Sequence, residues 1–264
     1  MVSIIILNYN TFKLTCNCIR SVYKHTIATN FEIIVVDNAS AECDADLFKK
    51  EFPGITLIKS PRNVGFAKGN NLGINQAKGE YILLLNSDTE LLNDAISIAR
   101  ETLQQDKKIG VVSVKLQHPD GKIQHQCQHF PSVYRTLLEM TRLHKLLPSA
   151  LRGRLLLGSY FKHDAYIEPD IVWGTFFMLK KEITERLPGK KLDESYFMYY
   201  EDIQWCLDIK RAGYRVAYQP KGAVMHLIGQ SNASKKEMIK KNKADFLKRN
   251  YNGLKVFLLK LFKY

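Results

Sequence analysis

Phe31-Glu32-Ile33-Ile34-Val35-Val36-Asp37-Asn38-Ala39-Ser40 runs four β-branched residues together and then stops on a carboxylate and three turn formers. A run without polar alternation is written for a strand covered on both faces, as in a parallel sheet. The same design recurs outward from it, at residues 2–8 on one side and at 55–59, 81–86 and 109–116 on the other. Between these runs lie residues 11–24, 41–52, 65–76 and 93–104, each long enough for a crossover helix. This predicts an α/β chain with a mostly parallel central sheet flanked by helices.

After His118-Pro119-Asp120-Gly121, a turn signal, periodicity weakens into a basic insertion over 134–165. Order returns with a strand over 171–180, a helix over 201–212 closed by Gly213, and a short strand over 215–219. The tail is helical by composition from Ser234 to about Asn250, with Ser234 and Glu237 in capping-box spacing. Residues 1–232 therefore form one domain and 233–264 a basic amphipathic tail.

The 264 residues are 45% hydrophobic and 25% charged, a globular composition that excludes disorder for most of the chain. No apolar run approaches the roughly 20 residues of a membrane-spanning helix. Met1-Val2-Ser3-Ile4-Ile5-Ile6-Leu7 reads as a buried strand and not as a signal peptide, which predicts a cytoplasmic chain. The five cysteines are scattered and form no C-x-x-C pair, so all are expected reduced and none in a zinc site. The net charge of +13 is concentrated at 134–162 and from residue 230 onward, interleaved with Leu, Phe, Tyr and Met. That is the composition of a surface that meets anionic lipid; a solvated face kept for solubility is the plainer reading. No nucleic-acid motif accompanies the charge.

In an open parallel sheet, ligands bind beyond the carboxyl ends of the strands. Two runs deliver aspartates there, Asp37 and Asp88, the latter in Leu84-Leu85-Asn86-Ser87-Asp88; each could also simply cap the next helix. Between them, Asn63-Val64-Gly65-Phe66-Ala67-Lys68-Gly69-Asn70-Asn71-Leu72-Gly73 is a glycine-spaced helix entry that allows close approach of backbone to a ligand. It has no G-K-[ST] ending, and no G-x-G-x-x-G follows the first strand, where Asn8-Tyr9-Asn10-Thr11 stands. Kinase-like and dehydrogenase readings lose support accordingly. Glu201 and Asp202 open a helix, where the helix dipole alone would favour acids, and His226 follows a short apolar run as a structural histidine or a ligand.

Taken in order, residues 3–10, 35–40, 63–73 and 84–88, with Phe197-Met198-Tyr199-Tyr200-Glu201-Asp202 and Gly213-Tyr214, resemble the family 2 glycosyltransferases of the GT-A fold, in their rhamnosyltransferase-like branch. The resemblance runs from Val2 to about Ser231 and leaves out the insertion and the tail. It implies transfer of a sugar from a nucleoside diphosphate donor, a dTDP- or UDP-sugar and within this branch dTDP-rhamnose, to an acceptor hydroxyl with inversion. It implies Mg²⁺ or Mn²⁺ as cofactor, because a hard cation neutralises the charge developing on a diphosphate leaving group. By resemblance Asp88 is the metal ligand, with Asn86 in the first place of a D-x-D-like motif, and His226 contacts metal or diphosphate. Asn8, Tyr9, Asn10, Asp37, Asn63, Gly65 and Asn71 fall on the donor-nucleotide side, with Asp37 toward the base. Asp202 is the first choice of general base and Glu201 its competitor; Trp173-Gly174-Thr175 resembles the acceptor-side loop.

The branch usually carries a further aspartate after this acidic pair and an arginine four residues on, where this chain has Gln204 and Asp208. Two functions follow as expectations. One is an inverting hexosyltransferase building surface polysaccharide on a lipid-linked or oligosaccharide acceptor, peripheral at the inner face of the cell membrane. The other is a catalytically silent nucleotide-sugar-binding or scaffolding protein of such a pathway.

Overall fold

The computed structural model describes residues 1–227 and 233–262, the side chains of 233 and 234 excepted. The expected end of the resemblance at Ser231, the 232/233 boundary and the expected Ser234 cap lie outside the described residues. The strands are β1 (Val2–Asn8), β2 (Phe31–Asp37), β3 (Thr56–Lys59), β4 (Tyr81–Asn86), β5 (Thr89–Leu91), β6 (Ile109–Gln117), β7 (Phe176–Lys180) and β8 (Arg215–His226). They form one sheet in the order β3-β2-β1-β4-β7-β6-β8-β5. β1 pairs in parallel with β2 and β4, β2 with β3, and β6 with β8. β7 runs antiparallel between β4 and β6, and β5 antiparallel on β8. The helices are α1 (Phe12–His25), α2 (Leu47–Glu51), α3 (Phe66–Gln76), α4 (Ala95–Gln105), α5 (Val133–Met140), α6 (Ser149–Leu156), α7 (Lys181–Thr184), α8 (Glu201–Arg211), α9 (Ala233–Asn250) and α10 (Gly253–Leu261).

The two-residue period of a strand splits the core in two. Ile4, Ile6, Ile33, Val35, Leu83 and Leu85 face a cluster closed by Cys18, Ile19 and Val22 of α1 and by Ile96 and Ala99 of α4. Ile5, Ile34, Val36, Ile82 and Leu84 face the other, closed by Ala67 and Ile74 of α3 and by Trp205, Cys206 and Ile209 of α8. Coverage of both faces is why these runs lack polar alternation. All five cysteines are free thiols. Among the described residues no helix is long and apolar enough to cross a membrane.

Three elements differ from the sequence expectation. The helix expected over 41–52 shrinks to α2. The strand expected over 171–180 begins only at Phe176, leaving Trp173 to Thr175 as a loop. The strand expected over 215–219 runs on to His226. Pro220 and Gly222 read as a strand end, but they sit in a bulge, where the pairing jumps from Val114↔Gln219 to Lys115↔Ala223. Beyond the bulge β8 recovers its ladder and pairs His226 with Thr89 of β5.

The tail is not an appendage. Phe246 and Leu247 of α9 are buried. Asn250 donates from Nδ2 to Gln204 Oε1 (2.8 Å) and accepts at Oδ1 from Arg211 (3.0 Å), both on α8. Arg249 pairs with Asp193 at 2.6 Å.

Candidate active site

At the carboxyl ends of β1 and β2 the residues expected on the donor side are tied to one another. Asn8 Nδ2 donates to Asp37 Oδ1 (2.8 Å) and to Ser40 Oγ (2.9 Å), while its Oδ1 accepts from Thr11 and Thr15. The Ser40 N–H reaches Asp37 Oδ2 at 3.1 Å. Asn10, at φ 54°, donates its backbone N–H to Ser40 Oγ and accepts the Ala41 N–H at Oδ1. Asn63 Oδ1 accepts from Asn38 Nδ2 and the Gly65 N–H. Tyr9 is exposed. Asn8 therefore fixes the direction of Asp37.

The glycine-spaced segment reads differently in three dimensions. Its glycines make room for protein: a Cβ at Gly65 would stand 2.5 Å from the Phe197 carbonyl oxygen, one at Gly69 2.4 Å from Leu7 and one at Gly73 2.5 Å from Ile5. Asn71 spends its amide on Leu192 O (2.8 Å) and Glu194 Oε1 (2.9 Å). Spacing alone cannot separate a backbone approached by a ligand from one approached by a neighbouring strand.

The other predicted residues converge. Asn86, Asp88, Trp173, Gly174, Thr175, Glu201, Asp202 and His226 all line one cavity of about 620 Å³. The β5–β8 pairing brings His226 Nε2 to 3.4 Å from Asp88 Oδ1. Gln124 Nε2 donates to the His226 carbonyl (2.9 Å), so its Oε1 is the atom that receives the His226 Nδ1 proton at 2.7 Å. In the neutral ring the Nε2 lone pair then faces a carboxylate oxygen, an opposition that a metal cation between the two acceptors, or a proton on Nε2, would relieve. Asn86 Oδ1, nearby on the chain, is buried and has no hydrogen-bond partner among the described residues. Among those residues no group of three or more His, Cys, Asp or Glu gathers. The donor set is one carboxylate and one imidazole, which suits Mn²⁺ or Mg²⁺ completed by phosphate oxygens and water, so the residues present fit a divalent cation.

The Trp173–Thr175 loop, which also lines the cavity, ties Asn86 to Asp202. The Asn86 N–H donates to Thr175 O (3.0 Å), and the Gly174 N–H to Asp202 Oδ2 (3.1 Å). Asp202 Oδ1 also takes the Ile203 N–H at 2.8 Å. Tyr199 and Tyr200, at φ 67° and 77°, aim the start of α8 into the cavity. Such conformations cost bulky residues roughly 1–3 kcal/mol each and persist only where the surroundings hold them.

The two acids differ in their surroundings. Burial pushes the Glu201 carboxyl well above the ordinary carboxylate range, and the Asp202 charge pushes it further. Its Oε2 has no partner among the described residues. Burial raises Asp202 as well, but the Gly174 and Ile203 N–H groups favour its ionised form. Asp202 is therefore the first to ionise, with Glu201 held protonated beside it. Where the sequence departs from its branch, Gln204 Nε2 donates to Asp208 Oδ1 (2.9 Å), so an amide–carboxylate bond one turn along α8 stands in place of an acid–arginine pair.

Three participants escaped the sequence reading: Gln124, and Lys235 and Ile239 of α9, which line the cavity. Gln124 carried no signal, being one glutamine in an irregular stretch, and the tail residues read as surface.

A mostly parallel sheet, a switch of strand direction at β7 and a cavity lined by Asp88, His226, Glu201 and Asp202 make up the candidate site. Residues 3–188 match the sequence model of Glycosyl transferase family 2, and the chain belongs to that family. It is 30% identical over 221 residues to the low-salt glycan biosynthesis hexosyltransferase Agl10 of Haloferax volcanii, covering 79% of this chain and 61% of that protein. It is 21% identical over 220 residues to N-acetylglucosaminyl-diphospho-decaprenol L-rhamnosyltransferase of Mycobacterium tuberculosis, covering 74% of this chain and 66% of that one. The structure matches the mannosyltransferase PcManGT of Pyrobaculum calidifontis, solved with GDP-Man and Mn²⁺, with a TM-score of 0.64 at 16% identity over 94% of this chain and 63% of the other. The fold is that of the GT-A glycosyltransferases. The chain spans 27% to 66% of the length of the curated relatives that it matches along most of its own length.

Proposed function

We propose that the chain is an inverting, metal-dependent hexosyltransferase that moves a sugar from a nucleoside diphosphate donor, a dTDP- or UDP-sugar, to a hydroxyl of a lipid-linked glycan. The observation that carries this reading is that Asp88, paired with His226, and Asp202 line one cavity. A divalent cation bound by Asp88 and His226 supplies charge neutralisation for the departing diphosphate. Asp37, aimed by Asn8, holds the nucleoside end of the donor. The Gly174 N–H orients Asp202, which takes the acceptor proton as the hydroxyl attacks the anomeric carbon. Glu201, kept neutral, adds no competing charge. Rhamnose as the sugar is supported by the likeness to the mycobacterial enzyme.

Calorimetric titration of UDP, dTDP and GDP, with and without Mn²⁺, into the chain and into Asp88→Ala tests the site. Metal-dependent binding of one nucleotide, lost in the variant, is expected; equal binding by the variant overturns the assignment. Binding without turnover on any acceptor leaves the silent-scaffold reading in its place.

In this reading the chain meets its acceptor at an anionic membrane face. α10 packs against α5, so the two basic stretches, far apart in sequence, meet. Lys255 is held below its ordinary value by burial and by the Arg135 charge, a cation pressed against a cation that an anionic surface would relieve. Leu254, Phe257 and Leu261 point outward from one side of α10. Flotation with phosphatidylglycerol vesicles, lost on Leu254→Asp with Phe257→Asp, is the expected result; unchanged flotation of that variant overturns it.

A further inference from the structure

We propose that Asn242 of α9, far outside the residues that match the family model, is a positioning residue for the general base; the inference rests on the transferase reading above. The turn that delivers Glu201 and Asp202 leaves four consecutive backbone carbonyls, those of Phe197, Met198, Tyr199 and Tyr200. A backbone carbonyl needs a donor from the protein or from water. Phe197 O receives the Phe66 N–H from the start of α3 (2.8 Å), and Tyr200 O receives the Gln204 N–H within α8 (3.0 Å). The two between them are satisfied by one side chain: Asn242 Nδ2 donates to Met198 O (2.9 Å) and to Tyr199 O (2.8 Å).

Asn242 is itself buried, at 8% exposure, so its two bonds are made inside the protein. One turn of helix on, Phe246 is fully buried and packs against the Tyr200 ring at 5.7 Å between centroids. One turn back, Ile239 lines the cavity, and Lys235 both lines it and lies over the Tyr199 ring at 5.2 Å. A primary amide is suited to this position: it carries two hydrogens on one nitrogen and so can serve two neighbouring acceptors. The left-handed Tyr199 and Tyr200 would relax toward ordinary backbone angles without these bonds, and Asp202, two residues further, would lose its aim. The tail helix is in this sense the outer wall of the active site and the brace of its base.

The test uses the full chain and three variants, read by steady-state transfer kinetics and by nucleotide calorimetry. Asn242→Ala is expected to lower kcat at least about tenfold, since small misplacements of a reacting group cost rate steeply. Its nucleotide affinity should stay within about twofold, because Asp88, in the turn between β4 and β5, and His226, on β8, take no hydrogen bond from Asn242. Arg249→Ala removes a tail anchor to Asp193 and Ser195 that makes no bond to the carbonyls of residues 197–200, and should leave kcat within about threefold even if the melting temperature falls. If Asn242→Ala no longer binds nucleotide, Asn242→Asp carries the test: it keeps the shape, removes the donors, and is expected to show the same loss of kcat. Wild-type kcat in the Asn242 variants, or an equal loss in Arg249→Ala, overturns the inference alone. A wild-type chain that binds no nucleotide and transfers nothing overturns the parent reading and this one with it.

Discussion

The β1–β2 corner proposed to hold the donor and the region around Asp202 proposed to meet the acceptor are built by different means. At the ends of β1 and β2, Asn8, Asp37 and Ser40 are joined by side-chain hydrogen bonds on strands whose register, Asn8 opposite Asp37, already makes them neighbours. Around Asp202, Gly174, Phe66, Asn242 and the 197–202 stretch come from four separate segments and meet through hydrogen bonds with a backbone carbonyl or N–H on at least one side. The first corner is rigid because a sheet is rigid. The second holds strained backbone in place by long-range contacts, so substitutions there should act on rate more than on donor affinity.

The sharpest break of that contrast lies in the acidic pair. Asp202→Asn is expected to lower kcat by about 10²–10⁴ with donor binding retained, whereas Glu201→Gln should stay within about tenfold of wild type. Steady-state kinetics of both variants decides it, and the reverse order would move the base to Glu201. Next comes Gln124→Ala, which frees the His226 ring and should cost about 10–100-fold in Mn²⁺ affinity in a metal titration, with little change in fold. Gly65→Ala should destabilise the chain by roughly 1–3 kcal/mol in chemical denaturation, because the new Cβ meets the Phe197 carbonyl at positive φ.

The smallest effect is in pH. A base with a raised value must lose its proton to work, so kcat/KM should rise through an acid limb lying above the ordinary aspartate value of about 3.9. For stability, a carboxyl raised in the folded state contributes fully below its unfolded value of about 4.3 for Glu and loses that contribution as pH rises through the folded value. The melting temperature of Glu201→Gln should therefore gain on wild type as pH increases, and an advantage that shrinks with pH would contradict the assigned burial.

The sequence carried the sheet because β-branched runs ending in carboxylates are local signals. The positions of Asp37, Asp88, Trp173 and Asp202 followed from it and from the family resemblance. His226 was named without its partner, because the Pro220–Gly222 bulge hid the strand that delivers it. The glycine-spaced helix entry was legible as a close approach, but what approaches it is set by packing against Leu7, Ile5 and Phe197. The tail was misjudged most. Its many lysines describe its outer side, while Asn242 and Phe246, two positions with no distinguishing pattern, decide that α9 docks on the turn before α8.

The most direct test of the account is the anomeric configuration of the product. The chain would be incubated with Mn²⁺, the sugar donor of the nucleotide that binds most tightly and a polyprenyl-diphosphate-linked glycan, and the new linkage read by NMR. A single base opposite the leaving group predicts a linkage inverted relative to the donor; retention of the donor configuration would contradict the assignment of Asp202 and the single displacement it serves.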